Sequence, residues 1–271
     1  MTRTVFFISD GTAITGETLG HSLLAQFSEV EFSQVRIPFV GDKEAALGAV
    51  EQIISASKQD QAPPIVINTI VDKKLSAIIH ASDAVILDLF GAFLDTLENA
   101  LGIKSKPTVG QTHGVKDYAR YEDRMDATNY ALNHDDGISL DFSKADLILV
   151  GVSRSGKTPT CLYMALHYGV KAGNYPLTED DLDEMRLPPF LRRYKRKIIG
   201  LMIEPERLAQ IRETRKPDSR YASMKQCRKE VELAESLLRM EGIPVFQTTH
   251  SSIEEISSRV LAELGLQREM Y

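Results

Sequence analysis

Leu147-Ile-Leu-Val-Gly-Val-Ser-Arg-Ser-Gly-Lys-Thr158 is the stretch that decides the fold. Four apolar residues, enough for a short buried strand, come first, and a run with apolar residues at helical spacing follows and stops at Gly169. Between them, residues 151–158 match the pattern Gly-x-x-x-x-Gly-Lys-Ser/Thr. The stretch therefore predicts a strand, a phosphate-binding loop and a helix in succession.

The residue types of this loop suit the phosphate groups of a nucleotide. Gly151 permits a tight exit from the strand, and Gly156 lets backbone N–H groups close around phosphate oxygens at the positive end of the helix dipole. Lys157 supplies a positive charge to the outer phosphates, and the Thr158 hydroxyl is a ligand for Mg²⁺. Arg154 either reaches a transferring phosphoryl group or is a solvated loop charge. The predicted nucleotide-binding residues are Gly151, Val152, Ser153, Arg154, Ser155, Gly156, Lys157 and Thr158.

Outward from this loop, β-prone runs alternate with helical patterns on both sides, which is typical of α/β proteins with mainly parallel sheets. We expect an N-terminal α/β domain over residues 1–101 and a P-loop kinase-like α/β domain over 142–271. Residues 102–141 are predicted to be a connector that carries an exposed, charged helix at 118–133. Further strands are predicted at 4–8, 33–40, 65–70, 84–87, 171–175, 197–203 and 244–248.

The composition argues against nucleic-acid binders, disulfide-stabilised proteins and membrane proteins. The formal charge of −6 argues against a general nucleic-acid binder. The two cysteines, Cys161 and Cys227, are far apart, which excludes a disulfide framework and favours a reducing cytoplasm. The first residues lack the long apolar core of a signal peptide, and no apolar run approaches the ~18 residues that span a bilayer. We therefore predict a cytoplasmic protein that does not enter a membrane.

Three acidic residues are candidates for chemistry beside the loop. Glu204 ends the apolar run 198–203, where it could hold Mg²⁺, although Glu204-Pro205 is also a common way to begin a helix. Asp135 and Asp136, followed by Gly137, could supply a general base or a metal ligand, although Asp-Asp-Gly is also a turn signal.

Other polar groups have two interpretations each. The cations of 192–197 could clamp phosphates or form a solvated surface. Residues 9–13 follow the first predicted strand and could bind a second ligand, but they lack a lysine. His113 and His134 could do acid–base work, although scattered histidines commonly have no such role.

Five separate motifs, taken together, resemble the pyruvate, phosphate dikinase regulatory family. They are Ile8-Ser-Asp-Gly-Thr-Ala-Ile14, His134-Asp-Asp-Gly-Ile-Ser139, Gly151-Val-Ser-Arg-Ser-Gly-Lys-Thr-Pro-Thr160, Asn174-Tyr-Pro176 and Ser219-Arg-Tyr-Ala-Ser223. The resemblance covers nearly the whole chain, through Met270-Tyr271, and is closer to the branch that acts on phosphoenolpyruvate synthase than to the dikinase branch.

The resemblance implies a bifunctional regulator of another enzyme. One activity is an ADP-dependent serine/threonine kinase that phosphorylates a threonine beside the target's catalytic histidine and inactivates it. The other uses inorganic phosphate to remove that phosphoryl group and releases pyrophosphate. ADP, phosphate and Mg²⁺ are the expected small molecules, and phosphoenolpyruvate synthase is the expected partner.

On this basis, the expected roles fall on six residues. Lys157, Arg154, Asp135 and Asp136 are the catalytic candidates, and Thr158 and Glu204 are the metal candidates. Three alternatives stay open: the same chemistry on pyruvate, phosphate dikinase, a P-loop kinase of small molecules with 192–197 as its lid, and a nucleotide-sensing module without activity. A homo-oligomer is compatible with all of them.

Overall fold

The computed structural model describes residues 2–106 and 118–266, and the chain divides into two compact units, 1–114 and 115–271. Each unit contains one four-stranded sheet in which every pairing is parallel, with helices packed against it. The predicted α/β class with two mainly parallel sheets is therefore confirmed. In the described part of the chain, no helix combines the length and the apolar character that a membrane span needs.

The first unit alternates strands and helices without a break. Its sheet has the order β2-β1-β3-β4. Its elements are β1 (Thr2–Ile8), α1 (Ile14–Leu24), β2 (Glu31–Ile37), α2 (Lys43–Asp60), β3 (Ile65–Asn68), α3 (Lys73–His80), β4 (Val85–Asp88) and α4 (Leu89–Leu101).

Glycines bring α1 close to the sheet of the first unit. A Cβ atom at Gly20 would lie 2.4 Å from Cδ1 of Ile67 and 2.5 Å from Cε1 of Phe7, so a larger residue would displace the helix. On the opposite face, Phe6 and Ile8 pack in one core cluster with Ile53 of α2. The sheet is thus covered on both faces, as expected for a parallel sheet.

The second unit is built around β5. Its sheet has the order β6-β5-β7-β8, and all residues of β5 and β7 are buried. Its elements are α5 (Tyr118–Asn133), β5 (Leu147–Gly151), α6 (Lys157–Tyr168), β6 (Ala172–Pro176), α7 (Glu179–Glu184), α8 (Pro189–Arg192), β7 (Ile198–Met202), α9 (Pro205–Arg215), α10 (Met224–Met240), β8 (Val245–Gln247) and α11 (Ile253–Glu263), with 3₁₀ turns at Lys195–Lys197 and Arg220–Ala222.

The strand order of the second unit makes a crevice after β5. The chain leaves β5, adds β6 on one side, and later adds β7 on the other side. Ligands of open parallel sheets bind where the strand order changes direction in this way, beyond the carboxyl ends of the strands. The loop 151–158 lies at that position, because Gly151 is the last residue of β5 and Lys157 the first of α6.

Helix α5 departs from the prediction of an exposed helix within a connector over 102–141. It is part of the second unit, where Ala127 and Ala131 are buried in one cluster with Cys161 and Met164 of α6. Alanine buries little area, so the sequence shows only a weak apolar face although the small side chains let the two helices approach closely. The division between units accordingly lies before α5, not on both sides of it.

Candidate active site

The loop 151–158 is shaped by its glycines. A Cβ atom at residue 151 would lie 2.2 Å from the carbonyl oxygen of Leu201 in β7, so only glycine fits there. Gly156 has a φ of 90° and Arg154 a φ of 76°, both left-handed, and the Ser155 N–H donates to the Val152 carbonyl at 3.3 Å. Left-handed residues inside a tight turn aim successive backbone N–H groups inward, which makes a concave site for an anion.

Lys157 is the buried cation of the loop. Its side chain is enclosed, and Nζ donates to the Val152 carbonyl at 2.9 Å. Burial lowers the pKa of Lys157 to about 8, although the nearby carboxylates of Asp136 and Asp135 act in the opposite direction. At neutral pH the group still carries its charge, and an anion that binds beside it would recover part of the lost solvation.

Thr158 is held by two side chains from other parts of the unit. Its hydroxyl donates to Oδ1 of Asp135 at 2.7 Å, and Nδ2 of Asn174 donates to the same carboxylate oxygen. The Oδ1 of Asn174 in turn accepts from the backbone N–H of Asp136 at 3.1 Å. The buried Asn174 thus fixes the 135–136 segment against the start of α6.

A cavity of about 200 Å³ opens over these groups. This volume is below the roughly 300–1,000 Å³ of sites that enclose a drug-sized ligand, which suits phosphate groups rather than a whole nucleotide. Arg154 is exposed at its rim, so its guanidinium is free to approach an anion there. The cavity is lined by Asp136, Ser153, Arg154, Gly156, Lys157, Thr158 and Pro159.

The roles of two residues of this site are not apparent from the sequence. Asn174 reaches Asp135 and Thr158, although in the sequence it stands out only as part of the motif Asn174-Tyr-Pro176. Arg212 of α9 is completely buried and donates to the Ser153 carbonyl of the loop at 3.1 Å. Neither partner could be inferred from spacing, because each contact joins segments that are distant along the chain.

Glu204 lies apart from the cavity lining. It precedes α9 with its side chain exposed, its backbone N–H donates to Oγ1 of Thr249, and its carboxylate lies 3.8 Å from Nε2 of His250. Asp135, not Glu204, is the carboxylate that contacts Thr158. Within residues 2–106 and 118–266, no three His, Cys, Asp or Glu side chains gather in a way that could hold a metal ion by themselves.

The basic cluster 192–197 does not form a lid over the loop. The turn Lys195–Lys197 directly precedes β7, so it lies at the amino end of the sheet, whereas the loop 151–158 lies at the carboxyl end. There, Lys197 Nζ donates to the Ala145 carbonyl at 2.6 Å and Lys195 pairs with Glu241 at 3.1 Å. The lid interpretation fails because the strand β7 separates the two sites.

The remaining candidates have structural partners. His134 places Nδ1 2.9 Å from the Tyr130 carbonyl and Nε2 3.0 Å from the Asp141 carbonyl, and its ring stacks on Tyr130. In the segment 9–13, Asp10 accepts from the backbone N–H of Val71 at 2.6 Å and joins two loops of the first unit. His113 and the Met270-Tyr271 end lie outside the described residues.

Comparison with known proteins gives full-length matches. Residues 5–261 match the kinase/pyrophosphorylase family. A protein of Stenotrophomonas maltophilia (strain K279a), named "Putative phosphoenolpyruvate synthase regulatory protein", is 55% identical over 99% of this chain and 98% of its own length. A protein of Xanthomonas oryzae pv. oryzae (strain MAFF 311018) with the same name is 52% identical over the same shares.

Proposed function

The chain belongs to the kinase/pyrophosphorylase family, and from that premise we propose that it is a bifunctional regulator of phosphoenolpyruvate synthase. In one direction it transfers the β-phosphoryl group of ADP to a threonine hydroxyl of the target, which inactivates the target and leaves AMP. In the other direction, an oxygen of inorganic phosphate attacks the phosphothreonine phosphorus. The bond to the threonine oxygen breaks, pyrophosphate forms, and the hydroxyl is restored.

The observation that carries this proposal is the buried Lys157 ammonium beneath the concave loop 151–158. Both reactions bring two linked phosphate groups into one site, as ADP at the start of the first and as pyrophosphate at the end of the second. A single cradle for a diphosphate therefore serves both directions. Lys157 and the loop N–H groups would neutralise the charge that spreads over the transferred phosphoryl oxygens.

The donor set beside the loop fits Mg²⁺. Thr158 Oγ1 and Asp135 Oδ1 lie 2.7 Å apart and offer the oxygen ligands that this ion prefers. Mg²⁺ commonly uses one or two protein oxygens and completes its shell with phosphate oxygens and water. When bound, the ion would neutralise phosphate charge, and Asn174 would keep the Asp135 carboxylate oriented toward it. We assign the metal carboxylate to Asp135 in preference to Glu204.

Asp136 is the better placed of the two carboxylates for proton transfer. It lines the cavity together with Lys157, whereas Asp135 is already engaged by Thr158 and Asn174. In the kinase direction Asp136 would accept the threonine proton as the oxygen attacks phosphorus, and in the reverse direction it would return that proton to the departing oxygen. Arg154 at the rim would stabilise the transferred group.

The test uses purified phosphoenolpyruvate synthase and ADP labelled in the β-phosphate. We expect label on a threonine of the synthase, loss of synthase activity, and release of labelled pyrophosphate when unlabelled phosphate is added afterwards. Lys157→Met and Asp136→Asn should abolish the labelling. Glu206→Gln, an exposed change on α9, should leave it intact.

The outcomes separate the alternatives. Label that appears only on small molecules would support a small-molecule kinase, and label on pyruvate, phosphate dikinase but not on the synthase would reassign the target. Synthase inhibition that survives Lys157→Met would support a binding module without catalysis. Asp135→Asn should raise the Mg²⁺ concentration needed for half-maximal labelling, whereas Glu204→Gln should not.

A further inference from the structure

Arg212 is a buried cation that takes no part in the proposed phosphoryl transfer. Its side chain has no exposed area, although arginine is among the residues least often buried. Nη2 donates to Oε2 of Glu230 at 2.7 Å and to the Ser153 carbonyl at 3.1 Å, while Nη1 donates to the Tyr221 carbonyl at 3.0 Å. The guanidinium therefore ties the loop 151–158 to α10 and to the turn Arg220–Ala222.

The turn Arg220–Ala222 reinforces the same contact. The guanidinium of Arg212 lies 4.0 Å from the centroid of the Tyr221 ring, which is cation–π geometry, and the Tyr221 hydroxyl lies 3.0 Å from Oγ of Ser153. Arg212 and Tyr221 thus hold the backbone and the side chain of one loop residue. We call Arg212, Tyr221, Glu230 and Ser153 the Arg212 cluster.

Stability alone does not explain the burial of this ion pair. Removing two charges from water is unfavourable, and well-packed apolar replacements of buried pairs are often neutral or stabilising. Here the Nε atom of Arg212 also has no hydrogen-bond partner among the described residues, which adds to the cost. A role at the loop accounts for the retained charge better than a role in folding.

The contact with Ser153 determines where the next peptide N–H points. In a trans peptide the C=O and the following N–H point in opposite directions, and the described chain has no cis peptide bond. Because the Ser153 carbonyl points toward the buried Arg212, the Arg154 N–H points in the opposite direction, away from Arg212. Ser153 and Arg154 both line the cavity. Through the same hydrogen bond, the charged guanidinium of Arg212 lies directly against the backbone of the loop.

From this geometry we propose that Arg212 is a positioning residue of the loop 151–158. It fixes the Ser153–Arg154 peptide so that the Arg154 N–H binds a phosphate oxygen, and it places a second positive charge beneath the anion, partly neutralised by Glu230. The inference rests on the proposed binding of a diphosphate at this loop. On this proposal the Arg212 cluster acts in anion binding and does not act in recognition of the target protein.

Two substitutions separate the two parts of the role. Arg212→Lys keeps the charge but removes the fork that holds two carbonyls, and we expect the Kd for inorganic pyrophosphate to rise at least about tenfold, the loss of one charge-assisted hydrogen bond. Glu230→Gln keeps a hydrogen-bonding partner for Arg212 but removes its counter-charge. It should lower the melting temperature, yet bind pyrophosphate as tightly as wild type or up to about tenfold more tightly.

Calorimetry on the full chain measures the Kd for pyrophosphate and the melting temperature. The matched control is Arg207→Lys, an exposed change on the same helix, which should alter neither the Kd nor the melting temperature. In ¹⁵N-labelled protein, the Arg154 amide signal should shift on pyrophosphate addition in wild type and much less in Arg212→Lys. A folded Arg212→Lys variant with the wild-type Kd overturns the inference. A Glu230→Gln variant that binds pyrophosphate more weakly than wild type also overturns the inference. This second variant keeps the test available if Arg212→Lys does not fold. If wild type itself binds no pyrophosphate, the proposed function fails first.

Discussion

Replacing Lys157 by methionine should make the protein more stable and inactive at once. The lysine side chain is buried with its charge, and its pKa falls to about 8 from an ordinary 10.5 because burial disfavours the ammonium. Methionine matches the length of the aliphatic stem without a charge. The variant should therefore lose the anion site and gain folding free energy.

The size of the gain follows from the pKa of Lys157. The difference between the folded and ordinary values corresponds to about 3 kcal/mol, at 1.36 kcal/mol for each pKa unit. The variant also loses the hydrogen bond from Nζ to the Val152 carbonyl, which offsets about 1 kcal/mol. We expect a net gain of about 2 kcal/mol, or roughly 4–8 °C in melting temperature for a unit of this size.

The stability difference between Lys157→Met and wild type should depend on pH, because Lys157 titrates at a lower pH in the folded chain than in the unfolded chain. Below about pH 8, Lys157 is charged in both the folded and the unfolded chain, so wild type bears the full cost. Between about 8 and 10.5, the unfolded chain binds a proton that the folded chain does not, so wild-type stability rises with pH. The advantage of Lys157→Met should therefore be largest near pH 7 and shrink steadily above pH 8.

Differential scanning calorimetry in phosphate-free buffer measures the melting temperature of both proteins at each pH. The transition of the second unit is identified as the one whose melting temperature Mg²⁺ and ADP raise in wild type. Lys225→Met, an exposed substitution on α10, should change stability by no more than about 0.5 kcal/mol at any of these pH values. An equal or lower melting temperature for Lys157→Met at pH 7, or an advantage that does not shrink above pH 8, would refute the reasoning.

Two further predictions follow from the same loop. Gly151→Ala should lower the melting temperature and weaken pyrophosphate binding together, because its Cβ would lie 2.2 Å from the Leu201 carbonyl oxygen; a variant with wild-type values of both would contradict the contact. In wild type, the affinity for pyrophosphate should be nearly constant from pH 7 to 8 and fall as Lys157 loses its proton above about 8. Titration calorimetry at successive pH values measures this affinity, and an affinity that rises above pH 8 would exclude Lys157 as the cation that binds pyrophosphate.

The local structure around the loop could be predicted from sequence because the required residues are consecutive. The buried strand, Gly151, Gly156 and the start of α6 follow one another within a short stretch, and each has a steric or hydrogen-bonding reason to be where it is. The alternation of strands and helices is equally predictable from the sequence, since the buried strands are apolar runs bounded by polar turns.

The side chains that surround the loop could not be predicted in the same way. Asp135 is a candidate from sequence, but its partner Asn174 comes from β6 and its contact with Thr158 depends on how α5 packs. Arg212 lies in a polar helix where an arginine is normally a solvated residue. Such contacts depend on tertiary packing, which periodicity and spacing along one chain do not encode.

The hydrogen bond between Lys157 and the Val152 carbonyl has a consequence for selectivity. An ammonium carries three N–H donors, so this bond occupies one of them, fixes the direction of the Lys157 side chain, and leaves two donors for an anion. A singly charged ion such as chloride gains one unit of attraction to this fixed charge, whereas a doubly or triply charged phosphate compound gains a much larger attraction in the same place. The internal bond thus keeps the positive charge at one point of the loop, where the attraction grows with the valence of the anion.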